Sequence, residues 1–333
     1  MENYSPLKGK NVLVTGGAGF IGSNLVDRLI KLEANVTVLD DLFTGDTSNI
    51  DEFDRIKFIR GSVTDAFLVN ELVSNAEIVF HVACRNIIVS TKNPYDDFQV
   101  NVGGTYNILL ASKNHKVEKI VYTSSASVYG NALYLPIHEE EGLRPLNPYA
   151  ASKLSAENYC IAFYESFDLP VTIVRYSNVY GIKQSPTNPY CGVISKFLDS
   201  IKQGKPPKIH GDGEQTRDFT FIDDVVSATI LAAISPKTVG EVFNLGSGKE
   251  TSIIKLAQTI IAIANGNNGH IEPEYIDRRD IDNVRRRVLN IEKIRKTLHW
   301  VPKTSLELGI EMTYQWFNDN HDSLYHAKYK NIS

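Results

Sequence analysis

The 333-residue chain is 42% hydrophobic and 22% charged, enough to bury a large core and to build about two domains or one enlarged one. A formal charge of -4 and a pI near 6.1 provide no basic field for nucleic acid or an anionic membrane, so an anionic ligand must be met by local arginines. No apolar run approaches the roughly 18 residues of a membrane span, and Met1 to Pro6 lacks a basic-then-apolar leader, which together predict a soluble, cytoplasmic protein.

The first informative stretch runs from Asn11 to Asp40. Val12-Leu13-Val14 is a short apolar strand, and Thr15 to Gly22 then places Gly16, Gly19 and Gly22 three apart where the chain turns into a helix. Gly16 permits the tight turn, Gly19 lets the backbone approach a pyrophosphate, and Gly22 allows close packing of the helix. The helix N-terminus offers unpaired N–H groups and a positive dipole end to phosphate. Val36 to Leu39 is a second strand, closed by Asp40, whose carboxylate suits a ribose 2′,3′-diol and repels a 2′-phosphate. This unit predicts a dinucleotide site selective for NAD over NADP.

Strand and helix then alternate. Ile56 to Ile59, Glu77 to Ala83, Ile120 to Thr123 and Val171 to Tyr176 read as strands, with helices over 66–74, 94–114 and, from the N-cap Asn147 with Pro148 in its first turn, to Phe167. Repeated units of this kind predict an α/β fold, a doubly wound parallel Rossmann sheet with ligands beyond the C-terminal strand ends. From about Ser177 the chain becomes richer in glycine, proline and polar residues, marking a smaller C-terminal α/β substrate-binding region. The expected division is 1–177 and 178–333, with a segment near 220–245 able to rejoin the first part. Helices are expected over 221–234, 253–264 and 306–316 and a strand over 241–245, and the polar tail from Asn318 is expected to be partly disordered. Cys84, Cys160 and Cys191 have no paired metal-ligand spacing and read as reduced thiols.

The chemistry-bearing pair is Tyr149 and Lys153, at i and i+4 near a helix start. A nearby ammonium and a nicotinamide ring favour phenolate, which makes Tyr149 a usable general base. Spacing alone does not single it out, since Tyr4 and Lys8 share it. What does is the preceding strand end, Thr123-Ser124-Ser125, which offers hydroxyls to a substrate alcohol.

Over about residues 9 to 315 the chain resembles the extended short-chain dehydrogenase/reductase superfamily, in its NAD-dependent nucleotide-sugar epimerase and dehydratase branch. The residues that carry the likeness are Thr15 to Gly22, Asp40, His81-Val82-Ala83, Asn101-Val102-Gly103-Gly104-Thr105, Ser125, Tyr149 with Lys153, Arg175 to Gly181, and Gly211 to Phe219. The resemblance implies Tyr149 as base, Lys153 on the nicotinamide ribose, and Ser125 on the sugar hydroxyl. It also implies Phe20, Ile21, Ser62, Val63, Ala83 and Asn101 as cofactor contacts beside the glycines and Asp40. On the substrate side it implies Asn178, Val193, Arg217 and one arginine of Arg278-Arg279. Arg85, in a Cys84 to Ile88 stretch unlike the common sugar loops of the family, is a further substrate-side candidate, and with Arg287 it leaves room for a carboxylated sugar. Arginine's planar fork fits phosphate oxygens, as an acidic protein requires. An ion pair of Arg217 with Asp218 or Asp223 is the structural alternative. His81 reads as a packed core residue, and Arg285-Arg286-Arg287 as a solvated run whose last member lies near the sugar.

Departures narrow the reaction. Relatives that eliminate water carry Thr-Asp-Glu before Val-Tyr-Gly, and decarboxylating ones keep the glutamate; here Ser125-Ala126-Ser127 stands instead. Without that acid pair a 4-epimerase acting on a nucleotide-diphosphate sugar, UDP-hexose by default, is favoured. The alternatives are a dehydratase or decarboxylase, a net oxidoreductase, and a non-catalytic nucleotide-binding protein. The family also implies a homodimer built on the helices at about 95–114 and 148–167.

Overall fold

The computed structural model describes residues 4–186, 188, 192–265, 271–278 and 284–330, with backbone alone at 265 and 321–330. Seven parallel strands form the central sheet: β1 (Asn11–Thr15), β2 (Asn35–Asp40), β3 (Lys57–Arg60), β4 (Ile78–His81), β5 (Lys119–Ser125), β6 (Val171–Tyr176) and, from far along the chain, a strand at Val242–Leu245. Their order is β3-β2-β1-β4-β5-β6 followed by that last strand, so the direction of winding reverses between β1 and β4. Ligands of doubly wound sheets lie at such a reversal, beyond the C-terminal strand ends.

Alternation along β1 explains the two layers. Val12 and Val14 face a core shared with Leu25 and Leu29 of α1 (Phe20–Lys31), while Leu13 faces the opposite core. That second core is closed by α2 (Ala66–Val73) and by two longer helices further on. The stretch expected as one helix over 94–114 is interrupted. After α3 (Ile87–Lys92) and the single turn α4 (Pro94–Asp97), a π-helical segment covers Phe98–Gly104 before α5 (Thr105–His115). Such widened turns gather at functional sites. Gly104 is required here, since a Cβ on it would lie 2.3 Å from the Val63 side chain. The helix α6 (Pro148–Phe167) starts as predicted, with the Asn147 side chain accepting from the Ala150 N–H.

Beyond Ser177 two small sheets form. β7 (Asn178–Tyr180) leads to α7 (Val193–Lys202), β8 (Lys208–His210) and β9 (Thr216–Phe221), and α8 (Ile222–Ile234) then returns to the large sheet with β10, the strand at Val242–Leu245. β11 (Glu250–Ser252), α9 (Ile253–Asn265), β12 (Glu274–Ile276), α10 (Glu292–Leu298) and α11 (Leu306–Lys330) complete the chain. β11-β9-β7 form one minor sheet and β12-β8 the other. The last helix does not stop near Trp316; it continues to Lys330, so the backbone of most of the polar tail is helical. No helix among the described residues is long and apolar enough to cross a membrane.

Candidate active site

The glycine turn shows why each glycine is there. Gly16 has φ +71, and a Cβ on it would meet the Ala83 backbone at 2.7 Å. A Cβ on Gly22 would lie 2.0 Å from the Gly16 carbonyl, so the packing it permits is of the helix on the turn itself. Gly17, outside the predicted triplet, is equally constrained: its Cβ would fall 2.7 Å from Val38. Gly19 is the N-cap of α1 and brings no capping side chain, and the first turn of α1 holds no acid. The leading N–H groups of α1 are thus presented to an anion at the cleft.

That cleft is lined by Gly16, Gly19, Phe20, Ile21, Gly22, Asp40, Ser62, Val63 and Ala83, every predicted cofactor residue except Asn101 and Lys153. Asp40 is buried and accepts from the Ala18 N–H at 2.9 Å and the Leu42 N–H at 2.8 Å. Burial raises its pKa and those two N–H bonds oppose the rise, and each oxygen, accepting one N–H, keeps a lone pair for a diol. Ser62 accepts from the N–H and hydroxyl of Thr64. Asn101, in the π-helical segment, is only 1% exposed and fully engaged. Its amide donates to Asp97 at 2.6 Å and to the Arg85 carbonyl at 3.1 Å, and its carbonyl accepts the Arg85 N–H at 2.7 Å. It brackets the loop that edges the cleft.

Arg85 is not brought to the substrate side. It lines the dinucleotide cleft, stacks 4.1 Å from the Phe43 ring centre, and pairs with Asp41 at 2.9 Å and Asp96 at 2.7 Å. Two carboxylates and an aromatic face hold the guanidinium there, away from the large cavity.

A second cavity of about 830 Å³ lies beyond β6, between α7, β8, β9 and the segment around Ile276. Asn178, Val193, Arg217 and Arg278 all line it. Arg278 therefore occupies the wall, whereas Arg279 and Asp280 fall outside the described residues, as does Cys191. Arg217 is 8% exposed and donates to the carbonyls of Val284 and Thr216 at 2.9 and 2.8 Å. Its neighbour Asp218 is committed to the backbone N–H groups of Ser247, Gly248 and Leu289, a role in tying loops together. Ile87, Ile88, Lys196, His210 and Gln215 also line the cavity, and no spacing in the sequence marks them. Cys84 to Asn86 edge the cofactor cleft while Ile87 and Ile88 edge the cavity, so one short segment joins the two.

Tyr149, in the first turn of α6, is half-buried. Desolvation raises its phenol well above the usual value, with the Cys84 thiol adding to the rise. A hydrogen bond with the Ser125 side chain and the charge of Arg287 act in the opposite direction. Ser125 closes β5 and, with its hydroxyl, also accepts the Ser127 N–H at 3.1 Å. Lys153 is 2% exposed, and its ammonium donates to the Thr123 carbonyl at 2.8 Å and lies 5.2 Å from the Tyr122 ring centre. A buried ammonium needs an acceptor, and the strand-end carbonyl supplies one. The cation that bears most on Tyr149 is Arg287, which is 4% exposed. Arg285 and Arg286, by contrast, are solvent-facing and pair with Asp212 and Glu250.

His81 is a core residue. Its Nδ1 meets the Thr15 hydroxyl at 2.7 Å and its Nε2 the Thr105 hydroxyl at 2.9 Å, while burial and the Lys153 charge push its pKa down to about 3. It is a neutral strut between β1, β4 and α5. No group of three or more potential metal ligands occurs among the described residues. Cys84 and Cys160 are free thiols.

A glycine-turn cleft at the reversal point of a doubly wound sheet defines a dinucleotide-binding α/β protein, and beside the cleft lies a second, larger cavity with an arginine-bearing wall. Residues 12–246 match the model of the NAD dependent epimerase/dehydratase family, and the chain belongs to that family. The putative UDP-glucose 4-epimerase of Methanocaldococcus jannaschii is 39% identical over 313 residues, 93% of this chain and 99% of the relative. The dTDP-D-glucose 4,6-dehydratase of Bos taurus is 35% identical, over 93% of this chain and 89% of the relative. The solved UDP-glucose 4-epimerase of Thermotoga maritima, in its structure with UDP-glucose, is 35% identical with a TM-score of 0.88, covering 93% of this chain and 99% of that one. The cofactor of the family is NAD, and the open glycine turn, the uncapped helix start and the Asp40 carboxylate fit it.

Proposed function

We propose that the protein is an NAD-dependent nucleotide-sugar 4-epimerase, with a UDP-hexose as substrate. The observation that carries this reading over dehydration is the strand end beside Tyr149. Elimination needs an acid and a base besides the tyrosine, and the corresponding positions hold Ala126 and Ser127, in a short 3₁₀ turn over Ala126–Tyr129. Two carboxylates close to the reacting region are already engaged. Asp97 accepts from Ser90, Asn101 and Ser152, and Glu157 is bound to Arg175 and Ser124.

Bound NAD supplies the acceptor and donor of one hydride. Tyr149 takes the proton from O4 and returns it, helped by the Arg287 charge, while Ser125 orients the hydroxyl. Lys153 holds the strand end through the Thr123 carbonyl and is the residue we assign to the nicotinamide ribose. Arg217 and Arg278, with Asn178 and Val193, grip the nucleotide diphosphate in the large cavity, and the 4-keto sugar turns before it takes the hydride back. Asp40 selects NAD over NADP. We also read the exposed aromatic face of α5 and α6, with Tyr106, Tyr159 and Phe167 partly uncovered, as the contact of a homodimer, checked by sedimentation.

The test is incubation with UDP-glucose, UDP-N-acetylglucosamine and UDP-glucuronate, following the configuration at C4 by NMR. Interconversion is expected; a 4-keto-6-deoxy product or released carbon dioxide would replace this reading with a lyase. Tyr149→Phe should lower turnover by about 10² to 10⁴ with NAD still bound.

A further inference from the structure

Asp27, Asp51 and Lys183 form a charge cluster outside both cavity linings. Lys183 belongs to the loop after β7 and is 8% exposed, yet its ammonium reaches back to Asp27 on α1, to Asp51 at 2.8 Å and to the Asn49 carbonyl at 2.7 Å. Its backbone sits at φ +67, a left-handed conformation that a lysine does not favour. Buried charges of this kind are a weak source of stability, so their placement calls for another reason.

Two connections leave the cluster, one through Asn49, whose carbonyl Lys183 binds, and one along the chain to Gln184, the residue after Lys183. Toward the cofactor cleft, the Asn49 side chain donates to the Ala18 carbonyl at 2.9 Å, and Ala18 lies inside the glycine turn with its own N–H on Asp40. Asn24 of α1 adds a bond to the Ile182 carbonyl at 3.2 Å. Toward the nucleotide cavity, Gln184 accepts the Ser195 hydroxyl on its backbone carbonyl at 2.9 Å and on its side-chain oxygen at 3.0 Å. Ser195 is in the first turn of α7, whose Val193 and Lys196 line the cavity. Gly192 is a further lining residue, and a Cβ on it would press on the Gln184 amide at 3.1 Å.

We propose that Lys183 is a positioning residue that couples the two sites, transmitting the seating of the glycine turn through Asn49 to Gln184 and the first turn of α7. This inference rests on reading the large cavity as the nucleotide-diphosphate site. Coupling of this sort is reciprocal: whatever NAD does for nucleotide affinity, the nucleotide does for NAD. A lysine that merely braced the fold would lower both affinities and leave their interdependence intact.

Calorimetric titration with UDP, of protein holding NAD and of protein stripped of it with charcoal, reads the coupling as a ratio of affinities. The wild type is expected to show a ratio of about five or more, and Lys183→Met a ratio near one with both sites still binding. If Lys183→Met fails to fold, Asp51→Asn alters the largely exposed partner and leaves Asp27 paired; its ratio should fall at least about twofold. A ratio of one in the wild type, or the wild-type ratio preserved in the folded variants, overturns the coupling and leaves the cavity reading standing. Absence of UDP binding in both forms overturns the two together.

Discussion

The glycine-turn cleft and the large cavity are built by opposite means. The cleft is made largely by backbone: glycines whose missing Cβ atoms leave room, a helix start whose N–H groups are open, and one carboxylate at a strand end. The cavity is made by side chains delivered from β7, α7, β8, β9 and the segments around Ile276 and Arg285, which are distant in sequence. A backbone site tolerates almost no change at its glycines, whereas a side-chain site degrades one contact at a time.

Gly22→Ala is the severest way to test that contrast. The new methyl would lie 2.0 Å from the Gly16 carbonyl and 2.7 Å from the Gly17 Cα, both backbone atoms of the turn that receives the cofactor. Overpacking of this kind costs about 1–3 kcal/mol, and here the strain falls on the binding loop itself. NAD released on denaturation and measured by absorbance should drop to background, with a lower thermal midpoint. Retention of NAD would show that the turn yields, and would weaken the contrast.

Arg217→Ala should act only on the other side. Losing one charge-assisted contact costs about 1.5–3 kcal/mol, so UDP should bind about 10- to 150-fold more weakly by calorimetry, with NAD content unchanged. Equal loss of NAD would mean that Arg217 serves the fold rather than the ligand.

The smallest effect concerns the buried strut between β1, β4 and α5. His81 takes up a proton near pH 6.5 when unfolded but only near pH 3 when folded. Below pH 6.5 the unfolded chain therefore binds a proton that the native protein refuses, and His81 costs stability at up to about 1.4 kcal/mol per pH unit as the pH falls. Urea unfolding at pH 7, 6 and 5 should show this loss, and His81→Asn should flatten the slope between pH 6.5 and 5. An unchanged slope in the variant would mean that other groups set it.

The contrast also explains which features were legible in the chain. The glycine turn, Asp40 and the N-cap Asn147 act through neighbours a few residues away, so their spacing carries their meaning. The strands could be read for the same reason, as apolar runs buried on both faces of a parallel sheet. The widened turn at Phe98–Gly104 was not legible, because an apolar helix with and without an extra residue per turn has nearly the same pattern. Nor were the lining roles of Lys196 and His210, whose residue types are common on any surface.

By itself, then, the sequence determined the doubly wound fold and the preference for NAD, both of which follow from local backbone geometry and period-two or helical patterning. Tertiary structure decided which charges do what. Only packing sends the Lys153 ammonium to the Thr123 carbonyl, turns Arg85 onto Asp41 and Asp96, buries Arg287 toward Tyr149 while its two neighbours face solvent, and draws Lys183 back across the fold to Asp27. A long cationic side chain can reach many acceptors, and the one it takes depends on burial and on partners far away in the chain.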